Sequence, residues 1–181
     1  MVGFFLVRCG TMLHLVFGCM CSGKTTRLIM TARAAAQQGA RCLVLNSSID
    51  TRSPPHTVQT HDGVELSACK VSDVNTVSID HYSMIFIDEA QFQPNLVPFV
   101  HKCLARNKIV HAYGLNGDYR RQLMGTMHLL LPHADSMQLL TARCGCGEPA
   151  IHSQRLVDVD AADVIDVAAE YLPKCRNCFQ R

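Results

Sequence analysis

Five short apolar runs recur along the chain, at 13–17, 42–45, 84–87, 109–114 and 137–140. Gly, Asp or polar residues bound each run, and several carry β-branched side chains. That is the pattern of strands buried on both faces. Between them, 25–38 reads as a helix closed by Gly39, and 95–106 as a second helix. Strands alternating with helices predict an α/β domain around a parallel sheet with right-handed crossovers. The stretch 46–80 breaks the rhythm. Pro54-Pro55 and Asp62-Gly63 interrupt it and no period is sustained, so loop with a short hairpin or strand is expected there. From Cys144 the character changes again, to paired cysteines around irregular sequence. A main domain over 1–142 and a small second lobe over 143–181 are therefore expected. The apolar segment 1–9 lacks a signal-peptide layout and reads as an extended lead-in to the first strand.

Composition narrows the class. The 181 residues are 48% hydrophobic, enough to bury a domain-sized core. The net charge is only +2 and the longest basic run is Arg120-Arg121, which argues against a nucleic-acid groove. No apolar run reaches the ~18–20 residues of a membrane span. A soluble, cytoplasmic protein is expected. Six of the ten cysteines (Cys9, Cys19, Cys21, Cys42, Cys69, Cys103) share no spacing and read as reduced, buried small hydrophobes.

One motif carries strong chemistry. Gly18-Cys19-Met20-Cys21-Ser22-Gly23-Lys24-Thr25 matches G-x-x-x-x-G-K-[ST] in full, after an apolar strand and at the start of a helix. Such a loop wraps phosphates in backbone N–H groups, and the helix N-terminus adds partial positive charge. Lys24 would reach the terminal phosphates and the Thr25 hydroxyl would ligate Mg²⁺. A second signal follows at 84–89, where an apolar strand ends in Asp88 and Glu89. Asp88 at the carboxyl end of a strand supports the metal, and Glu89 is the best-placed general base. Together these predict a P-loop nucleotide-binding domain of RecA-like type. The remaining cysteines, Cys144-Gly145-Cys146 and Cys175-Arg176-Asn177-Cys178, supply four thiolates, which suits tetrahedral structural zinc. Free, buried thiols, or a shifted register with His152 as substitute ligand, are the alternatives.

These blocks occur in an order that resembles the type II thymidine kinases of cells, bacteria and large DNA viruses. The resemblance rests on 18–26 (GCMCSGKTT), Asp50-Thr51-Arg52, Thr60-His61-Asp62 and Asp88-Glu89-Ala90-Gln91-Phe92. It extends to 114–119 (GLNGDY), Leu140-Thr141-Ala142 and the final cysteine pair. It implies transfer of the γ-phosphate of ATP to the 5′-hydroxyl of thymidine, a zinc-bearing lasso lobe over the base, and a homotetramer. Glu89 matches the family's catalytic base. Gly18, Cys19, Met20, Cys21, Ser22, Gly23, Lys24, Thr25, Asp88 and Gln91 match its ATP and Mg²⁺ groups, Asp88 through water. Asp50 and Arg52 fall in a segment beside the transferred phosphate. Met20, Phe92, Leu115 and Tyr119 match walls of the nucleoside pocket, and Ser153, Val164, Ile165, Asp166 and Tyr171 its lasso side. Cys144, Cys146, Cys175 and Cys178 match the zinc ligands.

The chain departs from the family pattern at several places. C-x-C replaces C-x-x-C at the first cysteine pair, and Cys19 stands for the loop's usual Pro. Ala90 stands for Gly, Leu123-Met124 for Pro-Phe, and Asp166-Val167 for a Gly-Gly pair of the lasso. Glycine permits closer backbone approach than Asp or Val. The ATP half therefore matches more fully than the nucleoside half. Two other readings stay open at this level. One is a weakly active paralogue serving as a binding or oligomer-forming module. The other is a different P-loop ATPase acting on nucleic acid. No long tail is expected after Cys178.

Overall fold

A computed structural model describes residues 10–51, 53–60, 62–156 and 170–179. Its main sheet holds six strands: β1 (Met12–Gly18), β2 (Cys42–Ser47), β5 (Cys69–Val71), β6 (Met84–Ile87), β7 (Ile109–Leu115) and β8 (Ser136–Leu140). All pair in parallel, in the order β5-β2-β6-β7-β1-β8. The five apolar runs are five of these strands. Within 46–80, β3 (Thr57–Gln59) and β4 (Glu65–Ser67) form the expected hairpin. β5 is the strand in that stretch, and three residues are too few to show a period.

Alternation along the strands divides the core in two. Leu13, Leu15, Leu43, Leu45, Ile85, Ile87, Val110 and Ala112 face helix α2 (Leu96–Ala105), which supplies Leu96, Phe99, Val100 and Cys103. Val16, Val44, Phe86 and Tyr113 face helix α1 (Lys24–Gln37), which supplies Leu28, Ile29 and Ala32. Covered on both faces, the strands read as continuous apolar runs. Helix α1 ends where Gly39 enters the left-handed region (φ 85°) and donates its N–H to Ala36, as the sequence predicts. Pro98 lies in the first turn of α2, where a missing N–H breaks no intrahelical bond.

Register aligns the carboxyl ends of the central strands. Gly18 lies opposite both Leu115 and Leu140, and Ile87 lies opposite Ala112 and Leu45. The loops leaving β1, β2, β6 and β7 thus emerge along one edge, where open α/β sheets bind ligands. Four further short strands follow β8 and stand outside the main sheet. β9 (Ala142–Arg143) pairs antiparallel with β10 (Pro149–Ala150), and β11 (His152–Arg155) with β12 (Tyr171–Lys174). Among the described residues, no helix is long and apolar enough to cross a membrane.

Candidate active site and thiol cluster

The loop between β1 and α1 is shaped for close approach. A Cβ at Gly18 would run into the Ser22 hydroxyl and come within 2.9 Å of the Leu140 carbonyl oxygen. Cys21 (φ 60°) and Gly23 (φ 80°) adopt left-handed backbone, and Gly23 caps α1. The first turn of α1 holds no acid, so its N-terminal partial charge stays positive. Lys24, only 8% exposed, donates its ammonium to the carbonyls of Gly18 (3.2 Å) and Cys19 (2.8 Å). This is a cationic, N–H-lined cradle of the kind that takes a polyphosphate.

The strand-end acids complete it. The Thr25 hydroxyl donates to the Asp88 carboxylate at 2.9 Å, joining the loop to the end of β6 across the intervening β7. Burial and the neighbouring Glu89 charge push Asp88 up to about 7, against the Thr25 hydrogen bond and the Lys24 charge. A hydroxyl beside a carboxylate is the hard oxygen donor set that suits Mg²⁺.

Glu89 is 8% exposed and left-handed (φ 48°), a conformation costly for a non-glycine residue. The Gln91 amide holds it there. It donates to the Glu89 carboxylate at 2.6 Å and accepts from the Leu115 N–H at 3.1 Å. Gly125 (φ 62°) lets a neighbouring segment close on this bridge, since a Cβ there would collide with the Gln91 carbonyl. Glu89 is thereby pinned to the ends of two strands.

In the second lobe, the sulfurs of Cys144, Cys146, Cys175 and Cys178 all lie within 4.8 Å of one another. Cys146 and Cys175 are 3.7 Å apart. Tetrahedral zinc with Zn–S bonds of about 2.3 Å needs sulfurs about 3.8 Å apart, so the set fits. The one-residue gap is accommodated because 144–148 is a tight turn. Cys144 N–H donates to Glu148, and Gly147 N–H donates back to Cys144. Backbone N–H groups of Cys146 and Cys175 lower the Cys144 thiol to about 6, favouring thiolate. His152 is not among the four and packs its ring on Phe179.

With this geometry in view, the comparisons with known proteins are consistent with one another. The family model described as "Thymidine kinase" matches residues 11–179. The chain belongs to the thymidine kinase family. It is 36% identical over 177 residues to a rice "Thymidine kinase", covering 92% of this chain and 65% of that one. It is 32% identical over 174 residues to that of Myxoma virus (strain Uriarra), covering 94% and 97%. It is 33% identical over 171 residues to the chicken "Thymidine kinase, cytosolic", covering 92% and 76%.

Set against that family, most of the site residues expected from sequence gather at the carboxyl edge. Met20 and Ser153 meet directly, the Met20 N–H donating to the Ser153 hydroxyl at 2.9 Å. Leu115 ends β7, and Phe92 closes the short turn after Glu89. Tyr119 sits on a turn built by the buried Asp118 carboxylate, which accepts from the Arg120 and Gln122 N–H groups. Gln91, expected at the nucleotide, lies beside the phosphate-side acids and donates to Glu89. Tyr171 starts β12, opposite Arg155. Arg52, Val164, Ile165, Asp166 and Val167 lie outside the described residues, as does the 1–9 lead-in.

Three contributors escape sequence reading. Lys70 donates to the carbonyls of Asp50 (2.7 Å) and Ser53 (2.6 Å), clamping the 50–53 loop. The fully buried Asn46 amide donates to the Asp50 carboxylate at 3.1 Å. Arg155 stacks over the Tyr119 ring at 5.4 Å. None carries a local signal beyond being a polar residue in or beside a strand.

Proposed function

We propose that the chain transfers the γ-phosphoryl group of ATP to the 5′-hydroxyl of thymidine, giving dTMP and ADP. The observation that carries this is the phosphate loop hydrogen-bonded to Asp88, with Glu89 locked beside it, in a chain of the thymidine kinase family. The new bond joins the nucleoside oxygen to phosphorus, and the bond from phosphorus to the ADP oxygen breaks. Glu89 takes the hydroxyl proton, and Gln91 keeps its carboxylate aimed. The 18–23 backbone and Lys24 hold the phosphates, while Asp50 and Arg52 flank the group in transit. Thr25, and Asp88 through water, would hold Mg²⁺, which when bound offsets phosphate charge. On this reading Met20, Phe92, Leu115, Tyr119, Ser153 and Tyr171 would meet the nucleoside, and the resemblance assigns Val164, Ile165 and Asp166 to the same role.

The four thiols would hold structural zinc, stapling the lobe 143–181. Nine described cysteines are free thiols and the chicken relative is named cytosolic, which supports a reducing, cytoplasmic setting. A homotetramer belongs to the same reading. Exposed Met137 and Leu139 on edge strand β8, with Leu129 and Leu131 before it, support self-association.

The test is phosphate transfer from ATP–Mg²⁺ to a panel of four deoxynucleosides, with Lys24→Ala as blank. Selective thymidine phosphorylation, absent from the blank, is the expected result. No transfer to any nucleoside while ATP still binds would overturn the reading.

A further inference from the structure

The second residue of the phosphate loop does not pack with the loop. Cys19 is fully buried, and its neighbours are Cys144, Ala150 and Cys175, with Ala142 and Cys178 at the margin. Its thiol donates to the Ala150 carbonyl at 3.3 Å. The next loop residue is tethered too, Met20 N–H to the Ser153 hydroxyl, and Ser153 is itself only 4% exposed. Each tether ends one short strand away from a pair of thiols. Ala150 lies on β10, whose hairpin with β9 carries Cys144 and Cys146. Ser153 lies on β11, whose partner β12 runs into Cys175. The loop that wraps phosphate thus rests on both halves of the thiol cluster.

From this we infer that Cys19 is a positioning residue through which the thiol cluster sets the shape of the phosphate loop, so that metal in the lobe and nucleotide on the loop stabilise each other. Among the described residues the cluster around Cys19, Cys144, Ala150 and Cys175 is the buried apolar group shared by these strands, so metal joining the four sulfurs would hold the strands in place. Were the two cysteine pairs to separate, the pairings of β10 with β9 and of β11 with β12 would no longer be held in register with each other, and the Ala150 carbonyl and the Ser153 hydroxyl would shift against the loop. The N–H of Met20 would then turn away from its present direction. Conversely, a loop fixed on phosphates holds Cys19 and Met20 in place and, through them, both strands. Coupling between two binding equilibria is reciprocal, so either ligand can be used to read it.

This inference rests on the proposed function, and its test separates the two. Zinc extraction from the purified protein by a chromophoric chelator is followed with and without a non-hydrolysable ATP analogue and Mg²⁺. Elemental analysis and a direct titration of the analogue are made on the same sample. Saturating analogue is expected to retain zinc roughly five-fold or more against the chelator. Cys19→Ala, compared at an analogue concentration that its own titration shows to be saturating, should lose most of that protection with unchanged far-UV circular dichroism. Cys19→Ser, which keeps a donor for the Ala150 carbonyl, should regain part of it. Ser153→Ala, which cuts the second tether, should weaken the protection independently. A purely structural Cys19 would lower stability in both arms and leave the nucleotide effect intact. Extraction that ignores the analogue in the wild type, or is equally slowed in Cys19→Ala, overturns the inference alone. Absence of zinc overturns the inference together with the structural-zinc part of the proposed function, and absence of analogue binding overturns it together with the ATP part.

Discussion

The carboxyl edge of the sheet and the cysteine lobe hold their functional groups by opposite means. At the edge, Asp88, Glu89 and the phosphate loop hang from long parallel strands whose two faces are buried by helices. Register does the placing. Gly18 sits opposite Leu115 because strands β1 and β7 match along seven pairs. In the lobe, β9 and β10 are two residues each, and the buried cluster is Cys19, Cys144, Ala150 and Cys175. Among the described residues that is little apolar surface, and a metal joining the sulfurs would supply the missing order. The first region is a packed scaffold bearing chemistry; in the second, the candidate metal site is the scaffold.

The sharpest way to test the first half is Glu89→Gln. It keeps the shape and the Gln91 contact but removes the base, so turnover should fall by about 10²–10⁴-fold while ATP binding persists. Unchanged turnover would reject Glu89 as the base and leave the edge as a binding surface only.

Stripping zinc breaks the comparison at its other end. Chelation should unfold the lobe while the main sheet keeps its circular dichroism, and limited proteolysis should cut first beyond residue 142. Simultaneous collapse of both regions would mean that the sheet leans on the lobe as much as the lobe on the metal.

A smaller effect is expected at Gln91. Alanine there strands the Leu115 N–H and the Glu89 carboxylate in a buried place, costing about 1–3 kcal/mol of stability. If aiming Glu89 is its role, turnover drops about tenfold as well, equivalent to ~1.4 kcal/mol of barrier. A loss of stability with no loss of turnover would leave Gln91 a purely structural bridge.

The mildest test uses pH. His111 is stacked between His14 (4.4 Å) and Phe86 (4.8 Å), and burial lowers it from 6.5 to about 3. The folded state refuses a proton that the unfolded state accepts, so stability is full above pH 6.5 and declines as pH falls towards 3. Unfolding free energies from urea titrations should drop by about 1.4 kcal/mol per pH unit within that window. His111→Phe should flatten this slope for the sheet without touching acid release of zinc from the lobe. An unchanged slope would assign the acid sensitivity to other groups.

Sequence by itself was enough for everything that repeats locally or is written at fixed spacing. The apolar runs at 13–17 and 84–87 are strands because a strand buried on both faces must be apolar throughout. Gly39 marks the end of α1 because positive φ suits glycine. The loop at 18–25 and the acids at 88–89 lie within single stretches of chain, so chemistry and position could be read together. Even the four thiols were legible as a set, although not how a one-residue gap would be accommodated.

Tertiary structure decided what depends on distant partners. β7 lies between β1 and β6, so Thr25 reaches Asp88 across a strand that neither belongs to. Gln91 turns to Glu89 because Leu115, 24 positions away, offers the other half of its bridge. Lys70 looks like any lysine on a short edge strand until the 50–53 loop folds over it. Cys19 reads as a buried small hydrophobe, but its partner, the Ala150 carbonyl, lies 131 positions on. Local propensity acts over a few residues, whereas burial, hydrogen bonding and charge act between whatever the fold brings close. A side chain whose role lies in such a contact leaves no mark on its own neighbourhood.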